Sequence, residues 1–249
     1  DFRKTDSYSG RSINLALSER GINALKKADV YDSSFEKILI PMHGRIIHDI
    51  NGNKSFQPYS NKKNHFINSV SRSEINKILL DKAESTNRVK INFSMKCDDI
   101  DLDKNYLFIN QKKISFNGPV FGADGYKSVI ARKIAHNISY TDIKHSYKEL
   151  TILPKDGDYQ INPNALHIWP REDMMLIALP NNDKTFTCTL FMKTYGKNSF
   201  ESLESKDQIF SFFEKNFKDI LNLIPNLNNY FIKNPLGKLI TTNADTWFY

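Results

Sequence analysis

Several residue types in this chain could support chemistry, and their spacing decides which chemistries remain open. The six histidines show no HExxH or other ligand spacing, which argues against a zinc site. No serine lies in a Gly-x-Ser-x-Gly elbow, and neither Cys97 nor Cys188 has a catalytic signature beside it. No two glycines have the Gly-x-Gly spacing with which a dinucleotide-binding loop lets backbone N–H groups approach a pyrophosphate. Nucleophilic catalysis and a complete dinucleotide loop therefore have no support in the residues themselves.

Two charged positions could still bind a ligand. Arg45 lies between apolar residues in a probable strand, and an inward guanidinium there would need a carboxylate from the protein or from a ligand. Tyr59 could donate its hydroxyl to the same anion. Asp124 lies in a turn between Gly122 and Gly125 and could face a ligand, although a plain Asp-Gly turn is commoner. From the residues alone we favour a surface position for Arg45.

The elements that would position these residues centre on residues 164–192. Three apolar runs, at 166–169, 174–179 and 185–191, are separated by two proline-containing gaps. β-Branched and aromatic residues between turn residues are typical of strands joined by hairpins. The last run alternates, so that Cys188 and Leu190 face one way and Phe191 the other. We predict an antiparallel meander with an unusually apolar face, which could line either a core or a pocket.

Periodicity and turn residues predict further elements elsewhere. Ser71 and Ser205 each begin a capping box, so a helix is expected after each of them. The other predicted elements are a helical run over residues 10–28 that bends at Gly21, a hairpin over residues 40–59 that turns at Asn51-Gly52, a strand over residues 89–93, and a crossing between two units over residues 137–147.

Composition limits the class of protein. The 249 residues are 40% hydrophobic and 25% charged, which is ordinary for a soluble globular protein. Membrane insertion of this segment is not expected, because no apolar run approaches the roughly 18 residues of a membrane span. The net charge of +7 is spread thinly, so we favour a solvated surface over a nucleic-acid patch. The two distant cysteines, each in an apolar run, favour reduced core thiols and a cytoplasmic location. The sequence leaves the oligomeric state open.

Taken together, these motifs resemble one family, the kynurenine 3-monooxygenases, which are class A FAD-dependent aromatic hydroxylases. The similarity runs nearly from end to end and in order. The most specific runs are GRSINLALS at residues 10–18 and LHIWPR at residues 166–171. The other matching segments are IPM at residues 40–42 with Arg45 and His48, Pro58-Tyr59, SVSR at 69–72, the Asp-Gly turn at 122–125, YKELTI at 147–152, IALPN at 177–181, and FTCTLFM at 186–192.

The resemblance implies an α/β (α+β) fold like that of para-hydroxybenzoate hydroxylase. Residues 1–140 would form a partial, Rossmann-like FAD-binding domain with an inserted substrate-contacting hairpin around residues 40–70. Residues 141–249 would form a substrate-binding domain on a mixed or antiparallel sheet. The implied activity is the hydroxylation of L-kynurenine to 3-hydroxykynurenine in tryptophan degradation. That reaction uses FAD, NADPH and O₂. The resemblance implies no side chain of this chain that takes part directly in catalysis.

The resemblance also implies roles for particular residues. It reverses the surface assignment of Arg45, because Arg45 and Tyr59 match the pair that holds the carboxylate of L-kynurenine. Four apolar positions match the residues around the aromatic ring of the substrate, namely Leu166, Ile177, Leu179 and Phe191. Five positions match the surroundings of FAD, namely Ala16, Arg72, Cys97, Asp124 and Gly125.

The chain also departs from the family pattern. It lacks the GxGxxG turn and the later Gly-Asp flavin motif, so we expect this segment alone to bind FAD weakly and to be inactive. Ala131 stands where the family usually has an arginine, with Arg132 one position later. Two alternatives stay open: a different class A hydroxylase acting on another aromatic acid, and a non-catalytic basic binding module.

Overall fold

The computed structural model of this chain describes residues 14–62 and 65–249. Residues 10–13 of the GRSINLALS run lie outside the described residues. The strands are β1 (Asn14–Leu17), β2 (Ile40–Met42), β3 (Gly44–His48), β4 (Lys54–Pro58), β5 (Ile67–Ser71), β6 (Cys97–Asp101), β7 (Tyr106–Ile109), β8 (Lys112–Ser115), β9 (Ile138–Ile152), β10 (Leu166–Arg171), β11 (Met174–Pro180), β12 (Phe186–Lys193) and β13 (Leu236–Ala244). The helices are α1 (Glu19–Lys27), α2 (Ser33–Glu36), α3 (Arg72–Ser85), α4 (Val129–Ile134), α5 (Lys206–Asn216), α6 (Lys218–Leu223) and α7 (Leu227–Lys233).

The described residues form two compact units. The larger unit comprises residues 14–86 and 144–238, and the smaller unit comprises residues 87–143 and 239–249. Strands β9 and β13 contribute residues to both units. These are units of packing, and their limits differ from the predicted division at residue 140. The assignment of a cofactor domain and a substrate domain to residues 1–140 and 141–249 therefore stays a prediction.

A seven-stranded sheet is the largest element, with the strand order β13-β9-β12-β11-β10-β3-β4. Strands β10, β11 and β12 form the predicted antiparallel meander. Strand β3 joins it in parallel through the pairs Arg45–Leu166, Ile46–His167 and Ile47–Ile168. The mixed sheet and the α/β class predicted from the sequence are therefore confirmed, and so is a hairpin, formed by β3 and β4.

The core lies between one face of this sheet and helices α5 to α7. Burial of apolar area is the main stabilising term, roughly 25 cal/mol per Å². Helix α5 begins at the predicted capping box, in which Ser205 and Gln208 satisfy each other's backbone N–H groups. The residues buried there include Leu150, Trp169, Leu176, Ala178, Cys188, Leu190 and Met192 from the sheet and Ile209, Phe213, Phe217, Ile220 and Phe231 from the helices.

Two predictions of local structure are wrong. Residues 14–17, predicted as helical, form β1 and pair with β5, because the neighbouring strand satisfies the backbone groups that a helix would satisfy internally. Residues 89–93 alternate in polarity but belong to no strand.

The chain passes from the smaller unit to the larger one between residues 143 and 144, inside the predicted crossing over residues 137–147. Residues 138–147 of that segment belong to β9, so the passage occurs within a strand.

A chain of hydrogen bonds crosses the core face of the sheet. Asp219 of α6 bonds Nδ1 of His48 at 3.0 Å, and Nε2 of His48 bonds Nδ1 of His167 at 2.9 Å. His167 then bonds the backbone carbonyl of Asn162 at 2.8 Å. The Trp169 indole N–H donates to the same Asp219 oxygen at 2.7 Å. Both histidines are buried, so polar partners from β3, β10 and α6 meet inside the apolar core.

The two faces of β11 predict different costs for neighbouring substitutions. Leu176 is fully buried in the core, whereas Met175 on the opposite face is 38% exposed. We expect Leu176→Ala to lower the free energy of unfolding by about 2–5 kcal/mol, because it removes buried contacts and leaves a cavity. Met175→Ala should cost about 1 kcal/mol or less. Urea unfolding of both variants checks this, and equal losses would contradict the face assignment.

Burial of His167 predicts a loss of stability in acid. Burial lowers the pKa of His167 to about 4, against about 6.5 in an unfolded chain. The unfolded state therefore binds more protons between these values, and stability falls as the pH drops through that window, by roughly 3 kcal/mol at most. Urea unfolding between pH 7 and pH 4 measures the slope. The slope should be shallower in His167→Gln, and an unchanged slope would exclude His167 as its source.

Candidate functional site

The face of the sheet that points away from the core carries the predicted substrate residues. In β12, Phe191 alternates with the buried Cys188 and Leu190. Strand pairing places Ile177 beside Ile168 on one side and Thr189 on the other. Since side chains alternate along each strand, Leu166, Ile177, Leu179 and Phe191 all lie on this second face. The predicted split between the two faces is confirmed, while the role of these four residues remains a prediction.

The register adds residues to this face that the motifs did not indicate. Met175 pairs with Phe191 across β11 and β12, and Thr189 lies between Ile177 and β9. The Tyr147 ring lies 6.0 Å from the Phe191 ring, at an interplanar angle of 42°. Alternation within each strand already carried this information, but the pairing register was needed to align the strands. We call the apolar part of this face, formed by Leu166, Ile168, Met175, Ile177, Leu179 and Phe191, the ring wall.

A cation and a phenol lie at the β3 edge of the ring wall. Arg45 pairs with Leu166 in the parallel register, and its guanidinium carbon lies 5.5 Å from the centre of the Tyr59 ring. The Tyr59 hydroxyl is buried and has no hydrogen-bond partner among the residues that the structure describes. Burial raises the pKa of Tyr59, and both the charge and the nearby N–H groups of Arg45 oppose that rise. Arg45 forms no salt bridge with a described carboxylate.

This arrangement suits a ligand with an anionic head and an apolar ring. A buried hydroxyl without a partner costs about 1–3 kcal/mol, which a ligand oxygen could recover by accepting its hydrogen bond. A guanidinium that lacks a protein carboxylate can bind a ligand carboxylate with two parallel hydrogen bonds. The ring wall begins beside Arg45, at Leu166. Carboxylate and ring could thus be held at once on a single sheet.

Two of the predicted cofactor residues belong to the larger unit. Ala16 is an exposed small residue of β1, and Arg72 is exposed at the first position of α3. Arg72 forms no salt bridge with a described carboxylate. An unpaired cation and an exposed residue with only a methyl side chain fit part of a site for a large anionic cofactor. The residues present therefore fit FAD in part.

The sheet that carries Ala16 is tied directly to the ring wall. The amide of Asn14, in β1, donates to the backbone carbonyl of Pro180 at 2.9 Å and to the Ser69 hydroxyl at 3.1 Å. Ser69, in β5, donates to the same carbonyl at 2.8 Å. Pro180 ends β11, next to Leu179, and both Asn14 and Ser69 are buried. The position of Ala16 relative to Leu179 is thus fixed by buried hydrogen bonds.

The other predicted cofactor residues, Cys97, Asp124 and Gly125, belong to the smaller unit. Burial alone would raise the pKa of Asp124, but hydrogen bonds from Ser128 and from the Val129 backbone N–H lower it overall. The Val129 N–H donates to the Asp124 carboxylate at 2.7 Å, which is therefore ionised and held at the start of α4. Burial, followed by the charge of Asp124, raises the pKa of the Cys97 thiol.

A cavity of about 780 Å³ lies within the smaller unit. Gly125 lines it, at a backbone φ of +84° that glycine adopts without strain. Most of the lining is apolar and aromatic, including Phe121, Trp247 and Phe248. Among the described residues, no group of three or more His, Cys, Asp or Glu side chains could hold a metal ion. No helix within residues 14–62 and 65–249 is long and apolar enough to cross a membrane.

Comparison with known proteins identifies relatives along the whole chain, although no family model matches it. The kynurenine 3-monooxygenase of Cytophaga hutchinsonii is 40% identical over 100% of this chain, and that of Flavobacterium johnsoniae is 41% identical over 100%. The Dictyostelium discoideum enzyme is 37% identical over 99%. The chain spans 57%, 57% and 55% of these three relatives. The resemblance read from the motifs is confirmed from end to end.

Solved structures share the fold at low sequence identity. CtdE, crystallised with FAD and a substrate, has a TM-score of 0.71 at 14% identity, over 99% of this chain and 64% of CtdE. The tetrameric form of 2-methyl-3-hydroxypyridine-5-carboxylic acid oxygenase has a TM-score of 0.68 at 15% identity, over 96% of this chain and 62% of that one. The chain therefore shares the fold of these two proteins.

The unpartnered hydroxyl predicts an unusual effect on stability. Tyr59→Phe should raise the free energy of unfolding by about 1 kcal/mol, because it removes a buried group that lacks a hydrogen bond. Tyr159 is the matched control, since its hydroxyl donates to the Asn181 carbonyl at 2.6 Å. Tyr159→Phe should lower the same quantity by about 1 kcal/mol. Urea unfolding without ligand compares the two variants, and a destabilised Tyr59→Phe would show that the hydroxyl is already satisfied.

Proposed function

We propose that this chain, which matches kynurenine 3-monooxygenases from end to end, carries the substrate site of a flavin-dependent monooxygenase acting on L-kynurenine. One observation carries the choice of substrate: among the residues that the structure describes, the buried Tyr59 hydroxyl has no hydrogen-bond partner and the adjacent Arg45 has no carboxylate partner. L-Kynurenine offers an amino-acid carboxylate for this pair and an aromatic ring for the ring wall. The motifs and the relatives support the same assignment.

The residues of this chain act by binding and orientation. Arg45 would bind the carboxylate through two N–H groups, and Tyr59 would donate its hydroxyl to a carboxylate oxygen. Ile177 and Phe191 would then hold the ring in one plane and keep water from it. Holding the reacting carbon at a fixed position replaces a bimolecular encounter with an oriented one, which lowers the barrier. No side chain of the ring wall needs to exchange a proton.

In the larger unit, Arg72 and Ala16 would contact FAD. For Asp124, Gly125 and Cys97, a contact with FAD is proposed from the resemblance alone. Reduced by NADPH, FAD when bound supplies the activated oxygen for insertion into the ring. One atom of O₂ enters 3-hydroxykynurenine, and the other leaves as water. A dry ring wall favours insertion over release of hydrogen peroxide. A cytoplasmic location stays a prediction, which rests on the two free cysteines.

Substitution of Arg45 tests the substrate assignment. In the purified protein that carries this chain, Arg45→Ala should raise the Kd for L-kynurenine by about 10- to 100-fold, because a charge-assisted contact contributes about 1.5–3 kcal/mol. The Kd for FAD should change little. Arg20→Ala removes an exposed arginine of α1 and is the matched control. Isothermal titration with each ligand measures both constants. Equal losses of affinity for kynurenine and for FAD would show that Arg45 supports the structure and does not bind the substrate.

A second measurement separates kynurenine from other aromatic acids. The fold is shared with an oxygenase of a pyridine carboxylic acid, so another class A hydroxylase is the competing assignment. The rate of NADPH oxidation should rise with L-kynurenine more than with simple hydroxybenzoates, which lack the amino-acid side chain. A larger response to a hydroxybenzoate would favour the competing assignment.

A further inference from the structure

The hairpin that carries Arg45 is poorly anchored by apolar burial. Every residue of β4 is exposed, so this strand forms an open edge of the sheet. The large apolar residues Ile50 and Phe56 are 53% and 54% exposed. The described pairing of β3 with β10 covers only three residue pairs. Hydrophobic contacts alone thus hold the β3–β4 hairpin weakly, and its position must depend on other interactions.

Buried polar groups supply those interactions at the end of β3. Arg171, in β10, donates from Nη1 to the His48 carbonyl and from Nη2 to the Asp49 carbonyl, each at 2.9 Å. Its Nε donates to the Asn216 carbonyl at the end of α5. A planar guanidinium makes these bonds at fixed angles, which an ammonium cannot reproduce. Arg171 therefore joins β3, β10 and α5 at one point.

The hydrogen bonds beside Arg171 link His167 to β3. The Asn162 carbonyl can only accept, so Nε2 of His167 carries a proton. The other ring nitrogen of His167, Nδ1, shares a hydrogen bond with Nε2 of His48 at 2.9 Å. The two rings, from β10 and β3, are therefore held together directly.

The other ring nitrogen of His48 faces Asp219. Burial would raise the pKa of Asp219, but hydrogen bonds from His48 and Trp169 lower it overall, so it is a carboxylate and can only accept. His48 therefore donates to it from Nδ1. The His48 ring also stacks on the Trp169 indole at 3.9 Å between centres. The other charged groups that act on this cluster are Arg171, Asp49 and Lys54.

The chain of bonds is not a route for protons to the substrate. It ends at a backbone carbonyl, and it lies on the core face, opposite to Arg45 and the ring wall. A buried polar cluster costs desolvation that apolar side chains would avoid, so stability alone does not account for these hydrogen bonds. These hydrogen bonds join β3, through His48, to β10 and α6 at a fixed distance.

We propose that His48, together with Asp219, His167 and Arg171, positions Arg45: these groups lock β3 against β10 and so hold the guanidinium beside Leu166 and over Tyr59. The inference rests on the proposed function, because it assigns the held arginine to the carboxylate of L-kynurenine. It makes the core face of the sheet responsible for the geometry of the ligand face. His48 reaches no ligand itself.

Nitrogen-15 NMR of the full chain tests the hydrogen bonds and the positioning separately. With labelled histidine at pH 7, Nδ1 of His48 and Nε2 of His167 should each carry a proton. With labelled arginine and no ligand, the Arg45 Nε–Hε signal should shift or broaden in Asp219→Asn. Asp81→Asn, on an exposed position of α3, is the matched control and should leave that signal in place. A His48 that carries no proton on Nδ1 would lack the bond to Asp219 and would overturn the proposal.

Ligand binding separates this proposal from the proposed function. Asp219→Asn should raise the Kd for L-kynurenine about tenfold, as expected for coupled residues, with FAD affinity unchanged. An unaltered Arg45 signal and an unaltered Kd in a folded Asp219→Asn would overturn the positioning role. If the unsubstituted protein binds no kynurenine, the proposed function fails, and the Arg45 signal still decides the positioning. If Asp219→Asn does not fold, Arg171→Lys takes its place in the test. Lysine keeps the positive charge of Arg171 but lacks the planar guanidinium that bonds several carbonyls at once.

Discussion

The parallel pairing of β3 with β10 is the contact on which the candidate site depends. It sets Arg45 of an edge hairpin beside Leu166 of the central meander, and only three residue pairs define it. A shift of one residue would turn Arg45 to the core face, since side chains alternate along a strand. Such a short pairing needs support, and the buried bonds of His48 and Arg171 supply it.

One sheet serves two purposes because its faces differ in what covers them. Helices α5 to α7 cover the core face, where Trp169, Leu176 and Leu190 are fully buried. The opposite face keeps apolar side chains partly accessible, as at Ile177 and Phe191. Close packing on the first face gives the second a rigid base, which a site that must hold an aromatic ring requires.

Much of the fold was predictable where local signals were strong. The meander, the helices that begin after Ser71 and Ser205, and the alternation in β12 all follow from residue types a few positions apart. The prediction failed for residues 14–17, because apolar spacing over four residues fits either a helix turn or a strand. Residues 89–93 alternate like a strand but pair with nothing, since a strand needs a neighbour as well as a pattern.

The sequence by itself determined which residues share a face of β10, β11 and β12, and its motifs indicated the resemblance that the relatives confirm. It could not determine the register of β3 against β10, or that His48 and His167, 119 residues apart, would share a hydrogen bond. Nor could it show that the Tyr59 hydroxyl is buried with no partner among the described residues. Periodicity reports only on neighbours along the chain, whereas these features arise where distant strands meet, and only tertiary packing decides that.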